Sequence, residues 1–138
     1  QTASYWWEFE EGIRDRLKLS HEELGDALKA VANVLGHVAP VYIMADPGDI
    51  IALPMVRSPF SDQPTIYIYE RYPGGVGFSL KLFQSHAQIA QQALQAILDC
   101  PCQAGCPSCV GPSLEIGDRG KASAVELIGQ YLGAPDSE

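Results

Sequence analysis

Asp99-Cys100-Pro101-Cys102-Gln103-Ala104-Gly105-Cys106-Pro107-Ser108-Cys109-Val110 holds all four cysteines of the chain within ten residues, at the spacing C-x-C-x3-C-x2-C. A disulfide scaffold spreads its cysteines to close long loops, where cross-linking removes most entropy from the unfolded chain. A single short loop achieves little of that, and Cys100 and Cys102 are too close in sequence to bridge each other without strain. Soft thiolates crowded on a tight loop are what tetrahedral Zn2+ requires. Gly105 permits a positive φ where the loop folds back onto Cys106, and Pro101 and Pro107 stiffen the backbone beside the ligands. Zinc held by Cys100, Cys102, Cys106 and Cys109 is the reading adopted. An iron–sulfur cluster, a redox Cys-x-x-Cys pair and an unmetallated thiol loop are the alternatives. Four protein ligands leave no position for water or substrate, so zinc here is a structural staple. Its binding free energy is in effect folding free energy, on the order of 10 kcal/mol in small zinc modules.

Upstream of the loop, Phe78, Leu82, Ile89, Ala93 and Ile97 mark one face of a long helix from about 76 to 99. Before it, Ile50 to Arg57 and Thr65 to Arg71 read as two strands, most simply an antiparallel pair. Alternation puts Ile66, Ile68 and Glu70 on one face and Tyr67, Tyr69 and Arg71 on the other. Further back, Ser20-His-Glu-Glu23 is a capping box, and Leu24, Leu28, Val31, Leu35 and Val38 recur at helical steps. They predict an amphipathic helix over 21–37 that Pro40 limits, with Val41 to Met44 able to add a turn. Asp46-Pro-Gly-Asp49 is a turn signal, its acids too sparse for a cation site. Ala3 to Phe9 reads as a short strand or extended arm with Trp6 and Trp7 on opposite faces. These rings pack at core edges or, less simply, offer a stacking platform for a base. Downstream of the loop, a last helix is expected from Arg119 to Leu132, capped by Asp118, with Val125, Ile128 and Leu132 inward. The fold class is α+β. A small antiparallel sheet packs with two long helices and a shorter C-terminal one, plus the four-cysteine zinc loop.

Composition agrees with a folded domain. The chain has 138 residues, 46% hydrophobic and 19% charged, which is the globular range and fits one domain over 1–138. No apolar run reaches the ~18 residues of a membrane span and no secretory leader opens the chain, so a cytoplasmic protein without membrane contacts is expected. A start at Gln1, without an initiator Met, is expected of an excised or processed piece. Against 9 Lys+Arg stand 17 Asp+Glu, a net charge of −8. Phosphate neutralisation supplies much of the affinity for nucleic acid, so a domain of this charge binds DNA or RNA poorly by itself.

Nothing in the chain has the pattern of an active site. The Gly74-Gly75-x-Gly77 turn between strand and helix invites a phosphate reading, but a P-loop lysine and the GxGxxG spacing are both missing. A tight strand-to-helix reversal is the simpler role. His21, His37 and His86 lie on separate segments, with no Cys or Ser beside them in a nucleophile pattern. The chain is expected to be no enzyme on its own.

Tyr72-Pro-Gly-Gly-Val-Gly77, the helix that follows and the 99–110 cysteine motif together resemble the C-terminal zinc-binding domain of MrfA-type DEAD/DEAH-box helicases of superfamily 2. The Trp6-Trp7 pair and Val38-Ala-Pro-Val-Tyr-Ile-Met-Ala-Asp-Pro-Gly-Asp-Ile50 add to the resemblance, which spans about Tyr5 to Leu132. It implies that Cys100, Cys102, Cys106 and Cys109 are the family's metal ligands. It also implies an ATP-dependent 3′→5′ DNA helicase acting in DNA repair, whose ATP site lies in two upstream RecA-like motor domains. Neither a Gly-Lys-Thr nor an Asp-Glu-x-His/Asp motif occurs here, so those motors are expected elsewhere in a longer protein. The zinc domain then packs on the motor and helps to shape the strand channel, with DNA reached through the full-length protein.

A second class of function is a protein-interaction module that docks the helicase to a partner through exposed N-terminal aromatics. The basic residues flanking the glycine turn and the zinc loop, Arg71, Lys81, Arg119 and Lys121, are the candidates for nucleic-acid contact, against the plainer reading of solvated surface charges.

Overall fold

A 23-residue helix, α2 (His21–Ile43), contacts nearly every other element of the computed structural model. The structure describes residues 4–10, 12–44, 46–57, 62–70, 78–102, 105–106, 109–111, 116–117 and 119–133. The capping box forms as expected: the Ser20 hydroxyl accepts from the Glu23 N–H at 3.1 Å and the Glu23 carboxylate accepts from the Ser20 N–H at 2.9 Å. Leu24, Leu28, Val31 and Leu35 are buried on one face, with Val38 packed at its edge. The helix does not stop near 37. It runs through Pro40 to Ile43 and leaves helical geometry at Met44, whose φ is 55° and whose N–H bonds the Pro40 carbonyl. Proline removes one helical hydrogen bond, yet the helix continues through it, with Ala39 and Pro40 both buried.

A short helix, α1 (Ile13–Leu17), precedes α2, and a 3-10 turn at Pro47–Asp49 follows it, where the Asp-Pro-Gly-Asp signal placed a turn. The sheet has three strands, β1 (Ser4–Glu8), β2 (Ile50–Met55) and β3 (Thr65–Glu70). They stand in the order β1-β3-β2, all antiparallel, so the N-terminal segment is a true strand on the far edge of β3. Pro54 lies opposite Ile66 on the edge strand β2, where its missing N–H is tolerated. Trp7 and Ile66 are register partners and both fully buried, while Trp6 on the opposite face is 51% exposed.

The long helix expected over 76–99 is two helices, α3 (Phe78–Gln84) and α4 (His86–Asp99). Ser85, with φ −97° and ψ 14°, interrupts them. The next residue, His86, stands edge-on to Trp7 and Tyr131 at 6.0 and 5.2 Å between ring centroids. The buried stripe survives the break, because Leu82 and Ile89 are seven residues apart and both buried. The last helix, α5 (Gly120–Gly133), packs on α2 and α4 with Ala124, Leu127 and Ile128 buried and Val125 partly so. At its far end Tyr131 stacks on Trp7, the rings 4.4 Å apart and within 6° of parallel. The 72–77 glycine turn, Arg71 and Asp118 lie outside the described residues, as do the side chains of Glu70, Phe78 and Leu132. Among the described residues no helix is long and apolar enough to cross a membrane.

Candidate metal centre

α4 delivers the chain directly into the cysteine loop: Cys100 caps the helix in extended conformation, φ −73° and ψ 129°, and its N–H bonds the Ile97 carbonyl. Cys102 follows across the exposed Pro101. Gly105 then takes φ 141°, as the reversal before Cys106 requires, and Gly111 takes φ 103° on the way out. Between them the Cys106 carbonyl accepts from the N–H groups of Cys109 at 3.1 Å and Gly111 at 2.8 Å. This turn aims Cys106 and Cys109 at the same point as Cys100 and Cys102. The outgoing side of the loop is fastened to α2 by Asn33, whose amide donates to the Cys109 carbonyl at 2.8 Å.

All four Sγ atoms lie within 4.8 Å of one another. Cys100 and Cys106 are 3.4 Å apart, Cys102 and Cys109 3.5 Å, and Cys106 and Cys109 3.7 Å. A regular tetrahedron of Zn–S bonds about 2.3 Å long has sulfur–sulfur edges of about 3.8 Å. A disulfide would need about 2.05 Å, and all four thiols are free. The donor set therefore fits a tetrahedral metal ion. Among the described residues no histidine or carboxylate joins it. His21 and His37 are exposed on α2, and His86 belongs to the aromatic cluster.

The four thiols differ in surroundings. Cys109 is buried and the others are half-buried. Burial pushes the Cys109 thiol up to about 12. Burial acts on Cys102 in the same sense, but the hydrogen bond from the Lys121 ammonium, helped by the neighbouring sulfurs, brings it down to about 7. Lys121 Nζ stands 3.2 Å from Cys102 Sγ and donates also to the carbonyls of Cys100, at 3.1 Å, and Cys102. The Cys102 contact holds the ammonium above its usual pKa.

The described candidates for nucleic-acid contact have different surroundings. Lys121 is turned into the cysteine loop. Arg119, two residues earlier, reaches back to Glu23 at 3.3 Å. Lys81 is exposed on α3, and Arg71 is outside the described residues. The aromatic Trp7–Tyr131 stack and the Asn33 link to the loop were not anticipated. A lone Asn on the polar edge of a helical pattern carries no signal that it will meet a carbonyl 76 residues away.

Comparison with known proteins agrees with this geometry. The MrfA Zn-binding domain family matches residues 31–110, more than half of the chain and all four cysteines. An ATP-dependent helicase of Bacillus subtilis strain 168, YprA, is 35% identical over 129 residues, covering 94% of this chain and 17% of that protein. An uncharacterized protein of Methanocaldococcus jannaschii is 24% identical over 86 residues, 60% of this chain and 77% of that one. Among solved structures, the helicase MrfA bound to DNA superposes with a TM-score of 0.81 at 35% identity, over 91% of this chain and 16% of that one. MrfA bound to DNA and AMPPNP gives 0.71 at 32% identity, over 94% and 15%. The chain thus spans less than a fifth of the helicases it matches. A helix-fed loop of four converging thiols and a family match across it lead to one conclusion: this chain belongs to the MrfA Zn-binding domain family.

Proposed function

We propose that this chain is a single, non-catalytic zinc-binding accessory domain of an ATP-dependent DNA helicase, and that Cys100, Cys102, Cys106 and Cys109 are the ligands of one structural Zn2+. The observation that carries the reading is the convergence of four Sγ atoms within 4.8 Å, three pairs of them 3.4 to 3.7 Å apart and close to the edges of a Zn–S tetrahedron. The metal supplies a four-way cross-link between the end of α4 and the turn that Asn33 fastens to α2. A ligand set this complete leaves no coordination site for chemistry.

The motor domains and the ATP site belong, in this reading, to other parts of the same cytoplasmic protein, as the helicases with which the chain shares about a third of its residues support. DNA is reached through the full-length protein, because a domain of net charge −8 has little electrostatic attraction for it. The domain's role there is to help shape the channel for the translocating strand during DNA repair. Lys81, Arg119 and Arg71 are its candidate strand contacts, and Lys121 is engaged at the cysteine loop. The test is Cys106→Ser in the parent helicase, with unwinding and zinc content measured together. Loss of both supports the reading, and full unwinding without zinc contradicts it.

A second reading, docking to a partner protein, draws on the sheet's outer face. There Trp6, 51% exposed, lies 6.3 Å from the Tyr67 ring, and Leu53 is 39% exposed across from it. Trp6→Ala would then release a bound protein while leaving zinc and strand binding intact.

A further inference from the structure

The cysteine loop meets the C-terminal helix at one side chain. Lys121 lies in the first turn of α5, half-buried, and its ammonium has three N–H groups for three acceptors: Cys102 Sγ, the Cys100 carbonyl and the Cys102 carbonyl. The two carbonyls flank Pro101, so one cation clamps both ends of the Cys-Pro-Cys segment and touches a sulfur as well. The ammonium is thus partly withdrawn from water and set against a sulfur, a place suited to a cation when that sulfur is a thiolate. Four thiolates around a divalent ion leave a surplus of two negative charges, and a lysine on one of the sulfurs offsets part of it.

We propose that Lys121 is a positioning residue of the metal centre: it fixes Cys102 on α5 and supplies the outer-sphere cation that sets how tightly the four cysteines hold a divalent metal. The proposal rests on the reading that these cysteines are ligands. Partners outside the ligand sphere orient the ligands and tune the metal, and their loss typically costs 10- to 100-fold in metal affinity. The helix that carries Lys121 is itself seated in the core, with Tyr131 stacked on the buried Trp7 at its other end. The clamp therefore registers the loop against the whole fold.

The test is Co2+ titration of the 138-residue chain and of Lys121→Met, Lys121→Gln and Lys121→Arg, with a competing chelator to read affinity. The thiolate-to-cobalt charge-transfer band reports the sulfur environment, and circular dichroism checks the fold. The wild type is expected to bind one Co2+ with a tetrahedral thiolate spectrum. Lys121→Met should bind about 10- to 100-fold more weakly with a displaced charge-transfer band, and Lys121→Arg should recover most of the affinity. Lys121→Gln, one bond shorter and uncharged but still a hydrogen-bond donor, decides the matter if Lys121→Met does not fold. Unchanged affinity and an unmoved band in a folded uncharged variant would overturn the proposal, whatever the change in melting temperature. A wild type without the tetrahedral thiolate spectrum would instead overturn the ligand reading on which it rests.

Discussion

Asn33, in the middle of α2, donates its side-chain amide to the carbonyl of Cys109 at 2.8 Å, joining the central helix to the cysteine loop across 76 residues of sequence. Cys109 is the most buried of the four cysteines, at 1% exposure. Its carbonyl is thus fixed where water is scarce, and the loop inherits its position from the helix. Asn33→Ala removes the donor and leaves that carbonyl unpaired, which costs about 1–3 kcal/mol. Denaturant unfolding of the zinc-loaded chain should show that loss. An unchanged midpoint would mean that the loop holds its place without α2.

Two glycines of α5 should respond in opposite directions to the same substitution. At Gly120 an added Cβ would meet the Ile116 side chain at 2.8 Å, whereas at the exposed Gly129 nothing lies within 4 Å. Gly120→Ala should destabilise by about 1–3 kcal/mol through overpacking. Gly129→Ala should stabilise by about 0.5–1 kcal/mol, because alanine loses less freedom in a helix. Thermal melts of the two variants beside the parent check the signs, and a shared sign would contradict the packing described around Ile116.

The capping box of α2 makes part of the stability depend on pH. The Ser20 backbone N–H holds the Glu23 carboxyl below its usual pKa, and Arg119 adds to the effect against partial desolvation. A group that titrates lower in the fold than in the unfolded chain contributes stability above its unfolded value. That contribution is lost as the pH falls through the folded one. Stability of the parent should therefore fall below about pH 4.5 more steeply than that of Glu23→Gln. Parallel slopes in that range would show that the box adds nothing. Separately, Ser20→Ala should cost about 1 kcal/mol at neutral pH as a lost helix cap.

The secondary structure was legible wherever period and capping agreed. The start of α2 followed from Ser20 and Glu23, and the burial of Leu24, Leu28, Val31 and Leu35 from their spacing. The opposite faces of Trp6 and Trp7 followed from strand alternation, but the full burial of Trp7 against an exposed Trp6 did not. The errors fall where tertiary contacts overrule local rules. Pro40 set a limit near 37, with Val41 to Met44 only able to add a turn, because its missing N–H is visible in the sequence while the burial of Ala39 and Pro40 in one continuous helix is not. Ser85 breaks the long helix without disturbing its apolar stripe, so periodicity could not reveal the break. At the metal centre the four thiols were evident from their spacing, since crowded cysteines have few chemical uses. Lys121 and Asn33 were not, because a lysine and an asparagine are common on helix surfaces. Only the fold, which brings α2 and α5 to the cysteine loop, gives them partners there.

In the proposed centre one metal ion is held by Cys100, Cys102, Cys106 and Cys109. Native mass spectrometry with elemental analysis and a visible spectrum, on the freshly purified chain and on Cys106→Ser, tests it most directly. The expected result is one zinc per wild-type chain without visible absorbance, and little or none in the variant. A brown protein containing iron, or a metal-free chain that keeps its melting temperature in the presence of a chelator, would contradict it.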